Sequence, residues 1–243
     1  MPALTLTKHH GLGNDFLILL DPDGRHAVDG TTARALCDRH RGVGADGLIR
    51  STLATDGTPT MELFNADGSP AEMSGNGISC LAQALVQAGV VAGPEVAIVT
   101  AAGPRTVHYA DGQATVAMGE ALVKPAGDGL AVDVGNPHLV LRDDGQDLVE
   151  LGRQRPDVNV ELIAAGSSDG GITMRVHERG VGVTDACGTG AVAAAAAAHL
   201  WGMAGERVVV HQPGGDAEVD LSGAHAALTV PVTYVARIEV PCP

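Results

Sequence analysis

Met73-Ser74-Gly75-Asn76-Gly77 and Ala186-Cys187-Gly188-Thr189-Gly190 are near-copies of one another, and each opens a run that reads as a buried helix. After the first, Ile78, Leu81, Ala82, Leu85 and Val86 form the i, i+3, i+4, i+7, i+8 stripe of a packed helix that stops at Gly89. After the second, the run is almost pure alanine up to Leu200. Such small side chains admit neighbours from every side, which predicts a helix enclosed by sheet. In each copy a small residue with a reactive side chain stands directly before Gly-x-Gly, so that side chain and the following backbone N–H groups converge on one spot. The positive end of a helix dipole attracts anions and lowers the pKa of a thiol placed there. The first copy offers a hydroxyl, the second a thiol.

Short strands surround both runs. Leu4 and Leu6 precede the loop His9-His10-Gly11-Leu12-Gly13-Asn14-Asp15, and Phe16 to Leu20 follow it. The loop lacks the third glycine of a dinucleotide fingerprint and leads into a strand, so it reads either as a polar loop presenting Asn14 to a ligand or as a plain turn. Thr31 or Thr32 caps a short helix holding Ala33, Leu36 and Cys37. Gly42 to Gly47 turns into the strand Leu48-Ile49, residues 51–59 are a polar connector, and Met61 to Phe64 is a strand delivering the loop Asn65-Ala66-Asp67-Gly68-Ser69. Strands are expected at 96–100, 106–109 and 115–118.

After Gly119-Glu120 the pattern restarts. A strand at 131–134 runs into Gly135-Asn136-Pro137-His138, with Asn136 held extended before proline. Val158-Asn159-Val160 and 173–177 are strands, the latter leading into Glu178-Arg179; further strands are expected at 208–211, 217–221, 227–230 and 238–240. The fold class is therefore α/β (α+β type). Two pseudo-symmetric domains are expected, residues 1–119 completed by 235–243, and residues 120–234. Each presents several strands around one central helix, and halves facing one another would bring Ser74 and Cys187 to opposite sides of a shared cleft.

Bulk properties exclude several classes. A formal charge of −14 and a pI near 4.9 argue against gripping nucleic acid, and 2% aromatic content removes stacking platforms. No basic region followed by a long apolar segment opens the sequence, and the small-apolar run 191–198 falls short of the ~20 residues of a membrane span. The expectation is a cytoplasmic protein whose partner is a small molecule, with no nucleic acid and no membrane; a homodimer is left open. Cys37, Cys80, Cys187 and Cys242 lie far apart without zinc spacing, and free thiols are expected. Cys80 is six residues into its helix and cannot replace a thiol at position 74.

Inverting a carbon centre needs a base on one face and an acid on the other. A thiol, with a pKa near ~8.5 that a helix N-terminus lowers, can take either role near neutral pH. Helix N-termini would also bind an α-carboxylate whose charge grows as the carbanion forms. This arrangement suits racemisation without a cofactor. Only Lys8 and Lys124 are present, neither in the setting of a Schiff-base lysine, and the ten histidines show no metal-binding spacing, so neither pyridoxal nor metal is expected. His138 reads equally as a structural histidine or as a polar group in the cleft.

The blocks His10-Gly11-Leu12-Gly13-Asn14-Asp15-Phe16, Asn65 to Ser69, Ser74 to Gly77, Gly135 to His138, Glu178-Arg179-Gly180 and Ala186 to Gly190 together resemble the diaminopimelate epimerase family, in order and over nearly the whole chain. The resemblance implies two domains, each a β-barrel-like sheet around a central helix, with a cofactor-independent site in the cleft between them. It implies interconversion of LL- and meso-diaminopimelate on the route to lysine and peptidoglycan precursors. By matching motif positions, Asn14, Asn65, Asn136, Asn159, Glu178 and Arg179 would hold the substrate's amino and carboxylate groups. Backbone amides of Gly75, Asn76, Gly188 and Thr189 would hold the reacting-centre carboxylate, with Cys187 and position 74 as the proton-transfer pair.

This chain departs from the family pattern at Ser74, where the family has cysteine. A hydroxyl is a far weaker acid than a thiol and needs a partner to act as a base. Val183 replaces the family's glutamate in Gly-Glu-Thr. The expected activity is therefore an epimerase impaired at position 74; a non-catalytic amino-acid-binding homologue, or another racemase or dehydratase on the same scaffold, are the alternatives.

Overall fold

Period-two alternation broken at Leu12-Gly13 makes the chain begin as a hairpin. The computed structural model describes residues 3–166 and 170–241, and the free thiol expected at Cys242 lies outside them. Strands β1 (Ala3–Gly11) and β2 (Asn14–Leu20) pair antiparallel with Gly11 opposite Asn14. Leu12 and Gly13 take φ of 54° and 84°, the left-handed pair that matches the twist of a two-residue hairpin. Leucine is costly there, and its burial at 4% exposure offsets that cost.

Helix α1 (Gly30–Cys37) carries the chain to β3 (Gly47–Ser51), parallel to β2. Its cap is Asp29, not Thr31 or Thr32: the Asp29 carboxylate accepts from the Thr32 N–H at 2.9 Å and the Thr32 hydroxyl at 3.0 Å, a stronger acceptor placed one residue before the helix. β4 (Thr60–Asn65) and β5 (Pro70–Ala71) follow antiparallel, then α2 (Gly75–Gln87) crosses over to β6 (Glu95–Thr100), parallel to β4. β7 (Gly103–Ala110) and β8 (Gln113–Gly119) complete a meander.

The second half repeats this order. After β9 (Leu122–Ala126) comes the hairpin β10 (Gly129–Asp133)–β11 (Pro137–Arg142), then α3 (Leu148–Gln154) and β12 (Asn159–Ala165), parallel to β11. β13 (Ile172–Glu178) and β14 (Gly182–Thr184) follow, and α4 (Gly188–Leu200) crosses over to β15 (Arg207–Gln212), parallel to β13. β16 (Gly215–Asp220) and β17 (Ala226–Pro241) end the chain. The sequence reading missed the short strands β5 and β14, together with β9, β11 and α3. The last is two turns long, nucleated by the Asp147 carboxylate accepting from Val149 and Glu150 N–H, and shows too few periodic positions to detect.

The chain divides into two compact units, Met1–Val116 with Pro231–Pro243, and Ala117–Val230. The segments expected as separate strands at 227–230 and 238–240 are one sixteen-residue strand, β17, which pairs with β16 before Pro231 and with β1 after it. β17 also pairs with β8, so β1, β2, β3, β4, β6, β7, β8 and β17 form a closed ring in unit 1. Closure removes unpaired sheet edges. No helix among the described residues is long and apolar enough to cross a membrane.

Each unit is built round one helix. α2 is buried from Gly75 to Leu85 and packs on β1, β2, β3 and β7. α4 is in contact with β10, β11, β12, β13, β15 and β16, and Ala191 to Ala198 are all buried. Alanine on every face is what this enclosure demands, since a native core leaves no room for added methylenes. Ala194→Leu therefore lowers stability by about 1–3 kcal/mol. Thermal denaturation checks this, and an unchanged midpoint would show that α4 is not enclosed.

Candidate active site

The two Gly-x-Gly helix starts share one local geometry. Ser74 is the N-cap of α2 at φ −142°, ψ 126°, its Oγ accepting from the Gly77 N–H at 3.1 Å. Cys187 is the N-cap of α4 at φ −136°, ψ 116°, its Sγ accepting from the Gly190 N–H at 3.4 Å. The second glycine of each motif stands in a tight place. A Cβ on Gly77 would lie 3.1 Å from Ser74 Cβ and 3.3 Å from Ile49 Cδ1, and one on Gly190 would lie 3.2 Å from Cys187 Cβ and 3.0 Å from Glu161 Oε1.

In unit 1 the structure gathers Asn14, Asn76 and Ser74. Asn14 opens β2, its Nδ2 donating to Asp46 Oδ2 at 2.8 Å and its Oδ1 accepting from Asn76 Nδ2 at 3.4 Å. Asn76, 3% exposed, has no partner for its Oδ1 among the described residues. Asn65 ends β4 opposite Gly47 and donates from Nδ2 to Ser69 Oγ at 2.9 Å, which holds it within its own turn. Beneath Asn14, Asp15 binds Lys8 at 2.8 Å and Arg39 at 2.7 Å, and Arg39 also reaches Asp46 at 2.8 Å. Burial acts to raise the Asp15 carboxyl, but the hydrogen bonds and charges of Arg39 and Lys8 outweigh it and hold it below its ordinary value.

In unit 2 the thiol stands in a connected polar group. Thr189 Oγ1 lies 3.5 Å from Cys187 Sγ and accepts from Asn136 Nδ2 at 3.3 Å. Asn136 Oδ1 lies 2.9 Å from His138 Nε2, and His138 Nδ1 lies 2.6 Å from Glu161 Oε1. Asn159 Oδ1 accepts from the Arg179 backbone N–H at 2.8 Å. Glu178 and Arg179 form no ion pair among the described residues: Glu178 Oε1 accepts from the Thr184 hydroxyl at 2.6 Å, while Arg179 is exposed. His138 is fully buried and joins Glu161 to Asn136, so it is a structural bridge within the site's polar network.

Asp46, Glu161 and Gln212 escaped the sequence reading. Gln212 Oε1 accepts from the Cys187 backbone N–H at 2.8 Å, tying the thiol loop to the end of β15. Glu161 carried a signal, since it shares a strand face with Asn159 in an otherwise apolar run. Gln212 carried none.

The expected depression of the Cys187 thiol is not found. Burial pushes its pKa well up, and the charge of Glu178, with that of Glu161 once it ionises, adds to this, outweighing the hydrogen bonds of Thr189 and Gly190. At 6% exposure desolvation of a thiolate overrides the helix N-terminus. Burial likewise raises Cys37 to about 12 and raises Cys80, neither at a helix start. Ser74 Oγ has no basic side chain hydrogen-bonded to it among the described residues. Cys187 is therefore a protonated thiol at neutral pH. In ultraviolet titration against Cys187→Ser, its thiolate should appear only above the ordinary thiol value of ~8.5, and Glu178→Gln should move that transition down. A transition near neutrality would contradict this balance.

The diaminopimelate epimerase family model matches residues 6–123 and 130–235. The diaminopimelate epimerase of Mycobacterium bovis (strain BCG / Pasteur 1173P2) is 39% identical over an alignment of 278 positions, gaps included, covering 96% of this chain and 96% of that protein. Among solved structures, a predicted epimerase from Pseudomonas aeruginosa superposes with a TM-score of 0.76 at 17% identity, over 98% of this chain and 99% of that one. A phenazine biosynthesis protein of the PhzF family from Bacillus anthracis gives 0.76 at 14%, over 99% and 100%. At these identities the two structures establish the fold alone. With the duplicated helix starts and the ordered motif blocks carried along nearly its whole length, the chain belongs to the diaminopimelate epimerase family.

Proposed function

We propose that this chain interconverts LL- and meso-diaminopimelate without a cofactor, Cys187 and Ser74 being the proton-transfer groups on the two faces of the α-carbon. Family membership makes the chain an epimerase, an isomerase acting on an amino acid. The observation that supports the finer reading is the matching N-cap geometry of Ser74 and Cys187, two hydrogen-bonding side chains on equivalent helix starts. Each helix leaves first-turn N–H groups that the cap does not take, and those of Gly75, Asn76, Gly188 and Thr189 would bind the α-carboxylate. Asn14, Asn65, Asn136, Asn159, Glu178 and Arg179 would hold the remaining amino and carboxylate groups, the planar fork of Arg179 suiting the distal carboxylate. Synthesis of lysine and peptidoglycan precursors in the cytoplasm is the setting that belongs to this substrate.

The protonation states set the direction of the chemistry. A protonated Cys187 is poised as the acid, delivering its proton to a carbanion, and must lose that proton before it can act as the base. The group opposite it must then take the substrate's α-proton, which a hydroxyl without a basic partner does poorly. Ser74 therefore makes turnover slow and one-sided, and this favours a second reading in which the protein binds the amino acid without inverting it.

Incubation of each stereoisomer in deuterated water separates the two readings. The parent should exchange the α-proton of one stereoisomer, faster as pH rises, with little inversion; Ser74→Cys should invert the centre with deuterium incorporated. Tight binding with no exchange in either protein would leave the binding reading.

A further inference from the structure

The repeat places Phe16 and His138 at matching positions, and likewise Ile49 and Glu161. Phe16 pairs with Gly47 across the parallel strands β2 and β3, and His138 pairs with Asn159 across β11 and β12. Ile49 and Glu161 each lie against the second glycine of their helix motif. An apolar pair therefore suffices to pack this place in unit 1. In unit 2 the same place holds a histidine and a glutamate whose side chains are both 0% exposed, an arrangement that packing does not call for and that desolvation penalises.

The hydrogen-bond directions show what the polar pair does. Asn14 and Asn136 are also equivalent, each reaching the second residue of its central helix, Asn76 and Thr189. Asp46 takes the NH2 group of Asn14, which leaves the Asn14 carbonyl toward the helix. His138 Nε2 faces the carbonyl of Asn136, which leaves the Asn136 NH2 toward the helix. The two carboxamides are thus reversed, one site presenting an acceptor and the other a donor.

We propose that Glu161 is a positioning residue: through His138 it fixes the Asn136 carboxamide with its NH2 group toward Thr189, so that the α4 start presents a donor to a substrate carboxylate. This rests on the diaminopimelate reading for its ligand, but its geometry is a property of unit 2 alone. For Asn136 Oδ1 to accept, His138 must carry a proton on Nε2. Its Nδ1 then faces Glu161 Oε1 and is satisfied when Glu161 is the donor. Burial, with the charge of Glu178, pushes the Glu161 carboxyl up against the opposing pull of His138, the direction that favours a donating carboxyl. Glu161 Oε2 has no partner among the described residues, and an unpartnered neutral carbonyl costs less than an unpartnered anionic oxygen. The titratable groups facing the pair are Glu178 and Cys187, both electrostatically coupled to Glu161 or its neighbours.

Two measurements test this. Long-range proton–nitrogen correlation on the ligand-free protein reads the His138 tautomer without any variant or substrate, and Nε2–H with an accepting Nδ1 is expected. Calorimetric binding of meso-diaminopimelate is then compared among the parent, Glu161→Ile and Glu161→Gln, with KM and kcat measured in the Ser74→Cys background. Glu161→Ile, which installs the residue unit 1 uses at this place, should weaken binding about 10- to 100-fold and raise KM while leaving kcat far less changed. Glu161→Gln, which keeps an N–H for Nδ1, should recover most of the loss. The double variant His138→Phe/Glu161→Ile, the complete unit 1 pair, should melt within a few degrees of the parent, separating packing from positioning. An Nδ1–H tautomer in the parent, binding by folded Glu161→Ile within about twofold of the parent, or no recovery in Glu161→Gln would overturn the proposal. Absence of isotope exchange would instead count against the epimerase reading and leave the tautomer result standing.

Discussion

Both units must bury a helix start inside sheet without wasting its N–H groups, and the rest of each unit follows from that demand. The first turn of a helix leaves backbone donors without intrahelical partners, and water cannot reach freely into an enclosed position to satisfy them. Ser74 and Cys187 each take one, through Gly77 and Gly190. The remaining donors are left free for an acceptor, which is the use the proposed function makes of them. Enclosure also shapes the composition: both motifs carry glycine at the third helical position, and α4 carries alanine along nearly all its length, where α2 fills its ring with Ile78, Leu81 and Leu85.

The same enclosure reverses the acid–base character that the helix start alone would confer. A thiol at an exposed helix N-terminus is acidified by the dipole and by backbone donors. Cys187 has both, yet it is buried beside two carboxyl groups, Glu178 and Glu161, and desolvation is the largest influence on it. The dipole contributes ~0.3–1 kcal/mol at ordinary sites, whereas full burial of an ionisable group shifts its pKa by up to 3–5 units. Burial therefore wins. The outcome is a thiol suited to giving a proton, in a setting where a substrate's ammonium group is the natural source of compensating positive charge.

Much of this was legible in the sequence because it is local. The helix cores appear in their periodicity and in the alanine run, and the Gly-x-Gly duplication marks both N-termini. The alternation of β6, whose residues are exposed and buried in turn from Glu95 to Thr100, needed no tertiary knowledge. What escaped depends on long-range contacts. Gln212 reaches Cys187 across 25 residues, and Glu161 reaches His138 across 23, distances over which spacing carries no information. The thiol's direction of shift was misread for the same reason: the helix start is visible in sequence, while the depth of its burial is set by strands distant in the chain. Asp29 was passed over for a threonine because both residue types cap well and only the structure shows which one precedes the first helical turn.

The buried polar atoms left without partners add a last step. Asn76 Oδ1 in unit 1 and Glu161 Oε2 and Gln212 Nε2 in unit 2 lie on residues that belong to, or hydrogen-bond into, the two helix starts and their polar networks. Each costs stability where it stands, and unit 1 shows that an apolar side chain can fill such a place, Ile49 occupying the position that matches Glu161 in unit 2. A scaffold that satisfies nearly all of its backbone by sheet closure and helix crossover can carry a few such atoms. Three of the eight such atoms among the described residues fall in these two networks, so part of that cost is borne where the direction of a hydrogen bond, donor or acceptor, is what the helix start presents.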